Sequence, residues 1–320
     1  MDKVNTMNCP ICHSNNCNMN FTLYDDRYGF PGEFKLLWCT NCHHRFLECE
    51  FSESMLNDLY TNYYPRSTFK LESYQPVKEN RGFSAWLNGL GRSAYCYVPK
   101  NVRVLDIGCG FGEALGYHKA RGCEVFGVEA DENIQRVADM QGFNVHVGLF
   151  NPDLYEQRFF DYVTMDQVIE HMLDPVETLC AVERIMKPEG HLILSLPNPE
   201  GWGAWLFGEK WINWHCPYHV QHFSVKSMAI AAEKAGLIIE STKTITSSDW
   251  LDFQWRHLLT YPRNGVKSSF WSTGIKSNLL QKIVGRVLNV VHKVKINHVI
   301  TRIMDALGKG DGRLYILRKP

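Results

Sequence analysis

Two groups of side chains in this sequence have the types and spacing that chemistry requires. The first is "CPIC" at 9–12 with "CTNC" at 39–42, a C-x2-C-x26-C-x2-C pattern. Two tight turns carrying four thiolates suit tetrahedral Zn(II), which favours sulfur ligands and forms closed structural sites. Cys9, Cys12, Cys39 and Cys42 are therefore the expected metal ligands, with Cys17, Cys49, His13 and His43 as alternatives. A closed four-cysteine site leaves no open position for catalysis, so the expected Zn(II) is structural and supplies much of the folding energy of a small module. The second group is "NWHCPYHVQHFS" at 213–224, with three histidines, a cysteine and a tyrosine in twelve positions. Metal ligation, proton transfer and simple packing all remain open for it on composition alone.

The elements that would position these groups can be read from the hydrophobic pattern. Val102–Ile107 reads as a buried strand, followed at once by Gly108, Gly110 and Gly112 and then a helical pattern. Glycines permit a tight turn and close backbone approach to a ligand, and a helix start offers free N–H donors. Such a pattern can open a dinucleotide site, but the G-x-G-x-x-G spacing is absent. A second strand in "CEVFGVEAD" ends on Glu129, about 20 residues beyond the glycines, where a carboxylate can accept both hydroxyls of a ribose. Further strands are expected near Phe143–Val147, at Phe160–Met165 and at 190–198, with a helix from Pro175 to Met186. This alternation of strands and helices requires a mostly parallel sheet with ligand loops at the strand C-terminal ends. The histidine cluster follows the fifth strand and precedes a helix capped by Ser224, so it is expected at that same edge.

"VLDIGCGFG", "VEAD", "DYVTMDQVIEHMLDP" and "HLILSLPN", in this order and spacing, resemble the class I S-adenosylmethionine-dependent methyltransferases. The resemblance covers roughly residues 85–245 plus a closing strand. It implies an α/β fold, a doubly wound, Rossmann-like, seven-stranded and mostly parallel sheet whose antiparallel last strand is "GRLYILRKP" at 312–320. It implies S-adenosylmethionine as cofactor, with Asp106, Gly108 and Gly110 at the methionine end and Glu129 at the ribose. Ala130 or Asp131 would lie near the adenine, and Asp166 and Gln167 beside the sulfonium. The cluster's "P-x-H-x-x-H-F-S" is similar to a methyltransferase subgroup of glycan and lipid-linked sugar assembly. A zinc ribbon with a tyrosine-rich linker resembles deoxysugar methyltransferases, although their additional C-terminal domain has no counterpart here. Methylation of an oxygen usually needs a base, and histidine is the common choice near neutral pH. His219, then His222, then His171 are the candidates.

The remaining features bound the setting. Three regions are expected: a zinc ribbon at 1–50, a tyrosine-rich linker at 51–80, and a methyltransferase domain at 81–320 with a basic helical insertion at 246–311. Within the linker, Tyr60, Tyr63 and Tyr64 either pack on a helix face or close over a ligand held by the next domain. Hydrophobic content of 45% with 21% charge fits a globular chain with a real core. Net charge is zero by cancellation: residues 253–304 hold nine Lys or Arg and no acid, while the first 252 residues hold 21 basic and 32 acidic side chains. The stretch at 277–308 is amphipathic and basic, either a helical cover laying its apolar stripe on the core or an interfacial helix resting on an anionic membrane. No recognisable nucleic-acid module appears, and residues 1–50 are acidic overall, so nucleic acid is not expected as a partner. Paired cysteines without an apolar export segment point to the cytoplasm, with peripheral contact at the inner membrane face. The expected function is methyl transfer to a sugar hydroxyl of a nucleotide sugar or surface-glycan precursor, small or lipid-linked, in polysaccharide biosynthesis. O-methylation of a quinone or phosphonate-type metabolite, or a non-catalytic cofactor-binding scaffold, are the alternatives.

Overall fold

A computed structural model describes residues 7–64, 70–79, 81–272 and 274–320. The later part of the tyrosine-rich stretch, residues 65–69, lies outside the described residues. Three short strands open the chain, β1 (Cys17–Leu23), β2 (Phe34–Cys39) and β3 (Arg45–Glu48), followed by helix α1 (Glu53–Asp58) and a wider turn at Leu59–Tyr63. Helix α2 (Gly82–Asn88) leads into the alternating unit: β4 (Arg103–Ile107), α3 (Glu113–Lys119), β5 (Glu124–Glu129), α4 (Asn133–Gln141), β6 (Asn144–Val147) and β7 (Phe160–Asp166). Next come α5 (Pro175–Ile185), β8 (Met186–Pro197), α6 (Trp202–Phe207), the two-residue β9 (Gln221–His222), α7 (Val225–Lys234) and β10 (Ile238–Thr244). Helices α8 (Ser248–Leu259), α9 (Leu279–Lys293) and α10 (Ile296–Ala306) precede the last strand, β11 (Gly312–Arg318).

The main sheet has seven strands in the order β10-β11-β8-β7-β4-β5-β6, with β11 antiparallel to both neighbours and the other pairs parallel. Next to its central strand β7 lies β4, where Val104 to Ile107 are all buried, as a strand covered by helices on both faces requires. Strand β8 begins four residues earlier than the expected start at 190, because Met186 pairs with Phe160 of β7. Helix α5 starts on Pro175 with the Asp174 carboxylate accepting from the Glu177 amide, and buries Leu179, Val182 and Ile185 on one face. The Ser224 hydroxyl caps α7 by accepting from Ser227 N at 2.9 Å.

The second sheet has four strands in the order β1-β2-β3-β9. Its fourth strand comes from the loop after β8: Arg45 pairs with His222 and Phe46 with Gln221. The N-terminal module and the histidine loop therefore share one sheet. Ile11, Leu37 and Phe46 join Phe223, Met228 and Ala231 of the α7 region in a common core. Polar contacts reinforce it, with His44 Nε2 at 2.8 Å from Gln221 Oε1 and the Ser224 hydroxyl donating to the Cys42 carbonyl at 2.8 Å.

The basic insertion departs from the expectation of an apolar stripe laid on the core. Its amphipathic stretch at 277–308 forms two helices rather than one, because Lys295 takes a left-handed conformation (φ 68°) between α9 and α10. Leu280, Val287 and Val294 of the expected inward stripe are exposed.

Candidate active site and cysteine centre

A cavity of about 720 Å³ opens at the C-terminal ends of β4, β5 and β7. Its floor is the loop after β4. Gly108 has φ 74°, and a Cβ there would sit 2.5 Å from the Val168 side chain, so no other residue fits without displacement. Gly110 has φ 55° and faces open space. The Glu129 carboxylate locks this loop: Oε2 accepts from Gly110 N at 2.9 Å and Oε1 from Asp131 N at 3.0 Å. Each of those oxygens retains acceptor capacity for a ligand hydroxyl. Gly108, Gly110, Glu129, Ala130, Asp131, Asp166 and Gln167 all line the cavity, as do Phe111 and Glu132, which the sequence reading did not single out. Phe111 lies within the glycine loop itself, so its position was available from the motif.

Asp106 is placed differently. It is buried beneath the loop, where Oδ1 accepts from the Thr164 hydroxyl at 2.6 Å, and burial pushes its carboxyl up to about 7. The cavity lining does not include it. Asp166 accepts from Ala94 N at 3.2 Å through Oδ2, while its buried Oδ1 has no protein partner. Gln167 is held with φ 60° by donating its amide to Ser195 O at 2.7 Å. An open glycine position, spare acceptors on Glu129 and an orphaned Asp166 oxygen fit a ligand with ribose hydroxyls and a cationic or N–H-bearing group.

One wall is aromatic and comes from three distant segments. Tyr60 and Tyr64 line the cavity and pack on Tyr218, with ring centroids 5.8 and 5.1 Å away. The Tyr218 carbonyl lies 2.9 Å from Nδ1 of His171, another lining residue. That contact requires a proton on Nδ1 and leaves Nε2 with the lone pair. Burial pushes His171 down to about 4, so the ring is neutral at pH 7. The closing-over reading of the tyrosines thus describes Tyr60 and Tyr64, whereas Tyr63 packs on Phe30 at 5.0 Å.

Of the three histidines expected as proton acceptors, His171 lines the cavity and the other two stand behind it. His219 meets His171 edge to face at 4.7 Å. Its Nδ1 lies 2.9 Å from Asn213 O and its Nε2 3.4 Å from Nδ1 of His215. His222 is one ring further back, 4.9 Å from Trp214, because pairing of β9 with β3 carries it into the four-stranded sheet. Both are pushed well below the usual imidazole range by burial and remain neutral. Glu170 precedes His171 in the motif after the fourth strand. It is fully buried with neither carboxylate oxygen partnered by protein, and burial pushes it up to about 8. Ligand-type atoms of Glu170, His171 and His219 lie within 4.8 Å of one another, close enough to converge on one cation.

The cysteine centre is a separate assembly. One atom from each of Cys9, Cys12, Cys39 and Cys42 falls within 4.8 Å of the others, with Sγ pairs at 3.5 Å for Cys9–Cys42 and Cys12–Cys39. Two turns of the same build present them: His13 N donates to Cys9 O, and His43 N to Cys39 O, with His13 and His43 both at positive φ. Those two histidines are exposed and outside the cluster, and the Cys17 thiol contacts Ser14 O instead. Four convergent thiols suit a soft tetrahedral cation.

The methyltransferase-domain family model matches residues 78–242, slightly more than half of the sequence, and the chain belongs to that family. Its strand order, with a single antiparallel strand inserted next to the edge, makes it a class I S-adenosylmethionine-dependent methyltransferase. A ubiquinone biosynthesis O-methyltransferase of Alkalilimnicola ehrlichii is 27% identical over 157 residues, 45% of this chain and 64% of that protein. One from Xanthomonas oryzae pv. oryzae is 30% identical over 163 residues, 47% of this chain and 68% of that protein. A solved S-adenosylmethionine-dependent methyltransferase from Archaeoglobus fulgidus superposes with a TM-score of 0.43 at 19% identity, covering 75% of this chain and 96% of that one.

Proposed function

We propose that this enzyme methylates a hydroxyl oxygen on a flat, ring-bearing acceptor, a phenol in preference to a sugar, and that its four cysteines hold structural Zn(II). The observation that supports the acceptor is the wall of Tyr60, Tyr64 and His171 lining the cavity. Two tyrosine rings offer faces and edges for an aromatic acceptor to stack on. The proton acceptor beside them is an imidazole pushed down to about 4. A phenolic hydroxyl loses its proton near pH 10, whereas an alkyl hydroxyl resembles water at about 15.7, so a weak base suits the phenol better. The names of the curated relatives, ubiquinone biosynthesis O-methyltransferases, point the same way.

Bound S-adenosylmethionine supplies an activated methyl group on a sulfonium, released to the acceptor oxygen while the carbon–sulfur bonding pair returns to sulfur. The protein's share is alignment and proton removal. Glu129 fixes the ribose end and the glycine loop together. His171 Nε2 takes the acceptor proton, and the Tyr218 carbonyl keeps the ring in the tautomer that can do so. Glu170, protonated at pH 7, leaves no anion to compete for that proton. The cysteine module holds the histidine loop through β3 and β9.

A glycan acceptor is the second reading, since aromatic walls also bind the apolar faces of sugars. The two are separated by incubating the enzyme with methyl-labelled S-adenosylmethionine and, in parallel, catechol-type phenols, nucleotide sugars and lipid-linked glycans. Label in the phenols alone supports the proposal. Label in the sugars alone refutes it, and absence of cofactor binding by calorimetry would sink both enzyme readings.

A further inference from the structure

Helices α9 and α10 are folded with their apolar faces outward. Leu280, Ile283, Val287, Val290 and Val294 recur every three or four positions along α9. Ile296, Val299, Ile303 and Leu307 do the same along α10 and just beyond it. All nine are between 47 and 65% exposed. Such a stripe on a helix of a globular protein normally faces the core.

The inward contacts explain why it does not. In α10 the buried residues are Asn297, His298, Thr301 and Arg302. Asn297 accepts from Trp255 Nε1 at 3.2 Å, and His298 Nε2 lies 2.8 Å from Asn88 Oδ1. Arg302 donates to Trp86 O at 2.8 Å and pairs with Asp305 at 2.8 Å. In α9, Asn289 accepts from Arg256 at 2.7 Å and His292 faces Asp249 at 3.2 Å. Polar anchoring holds both helices to the body of the protein, and their apolar faces are left to something else. Beside them, α2 presents Phe83 and Trp86, both exposed, with rings 5.4 Å apart.

Charge identifies the occupant. Residues 253–304 carry nine basic and no acidic side chains, and Lys282, Arg286, Lys293 and Lys295 on these helices are exposed without an ion pair among the described residues. A second copy seated symmetrically on this face would bring those cations against their own counterparts. An anionic bilayer surface instead takes the apolar stripe into its headgroup layer, the flanking cations onto its phosphates, and aromatic residues at its interface. Among the described residues no helix is long and apolar enough to cross a membrane, so the contact is in the plane of the surface.

We infer that the outward faces of α9 and α10, with Phe83 and Trp86, form a docking surface for an anionic lipid bilayer. This inference does not depend on which acceptor is methylated.

The test is flotation of the full chain with phosphatidylglycerol-containing vesicles and with pure phosphatidylcholine vesicles. The expected result is binding to the first, at least about tenfold weaker binding to the second, and release as salt rises and screens the charges. A Val287→Ser/Val290→Ser variant, altered only at exposed positions, should lose that binding while keeping the wild-type melting temperature and cofactor affinity. Arg286→Gln with Lys293→Gln should weaken it about 25-fold, near fivefold per charge. Failure of the folded wild type to float with anionic vesicles overturns the inference. So does a concentration-dependent dimer in sedimentation that Val287→Ser/Val290→Ser dissociates, which would assign the face to a second copy. Cofactor binding and phenol methylation in detergent-free buffer read the enzymatic proposal separately.

Discussion

The two sides of the cavity are built in opposite ways. The cofactor side is local: Gly108, Gly110, Glu129, Ala130 and Asp131 lie within 24 residues, and backbone hydrogen bonds from the glycine loop to Glu129 and Val128 fix their geometry. The His171 side is assembled from residues 60–64, 169–171 and 213–222, brought together by ring packing and by a sheet whose other strands belong to the cysteine module. A local site tolerates damage elsewhere, because its contacts are made by residues already neighbours along the chain. A nonlocal wall inherits the stability of whatever holds its parts together.

The strongest way to break this comparison is through the cysteine centre. Cys12→Ser with Cys42→Ser should unfold the N-terminal module and release β9, cutting turnover about a thousandfold or more, since structural metal is folding energy and the base loses its position. Cofactor affinity should change only about threefold, with the local side retained and each factor of ten in binding being 1.4 kcal/mol. Turnover and calorimetry on the same sample decide it, and equal loss of both would show that the two sides are not separable.

A narrower cut is His171→Ala, expected to lower kcat about a hundredfold with cofactor affinity unchanged. His219→Ala should cost about tenfold, because it acts by buttressing His171 rather than by touching the acceptor. The wild-type kcat/KM profile should have its acid limb near pH 4, where His171 gains its proton, and be flat from 6 to 8. An acid limb near 6.5 would assign the proton transfer to a different, solvated group.

On the local side, Glu129→Ala should raise the cofactor dissociation constant about thirtyfold, the value of losing one or two charged hydrogen bonds. kcat at saturating cofactor should then fall far less than in His171→Ala. The last test reads stability rather than activity, through Glu170→Gln. Burial raises the folded-state Glu170 pKa to about 8 from an ordinary 4.5. The folded protein therefore holds this proton more tightly than the unfolded chain does, and the stabilisation, complete below pH 4.5, is lost as pH rises towards 8. Relative to wild type, the glutamine variant should gain unfolding free energy steadily between pH 5 and 8, by at most about 1.4 kcal/mol per pH unit. A pH-independent difference would mean that Glu170 is ionised throughout.

The same contrast explains what could be read from the sequence. The glycine loop, Glu129 and the strand–helix alternation were legible because a buried parallel strand followed by glycines and a helix leaves few alternatives. The four cysteines were legible because two tight turns of fixed spacing carry their own geometry. The roles of the histidines were not. The sequence put His219 and then His222 ahead of His171, and nothing local records that β9 pairs with β3 and draws His222 away. The basic helices show the same limit: their periodicity was plain, but which face turns inward depended on Asn88, Trp255 and Asp305, all outside the helices or at their ends.

By itself, then, the sequence determined the class of fold, the cofactor loop and the cysteine cluster, because each is specified by contacts between near neighbours in the chain. Only the tertiary structure decided that the cysteine module shares a sheet with the histidine loop, that His171 faces the cavity with His219 behind it, and that the apolar stripes of α9 and α10 look outward. Those outcomes depend on pairings across tens to hundreds of residues, where burial of polar anchors and completion of a shared sheet outweigh any local preference.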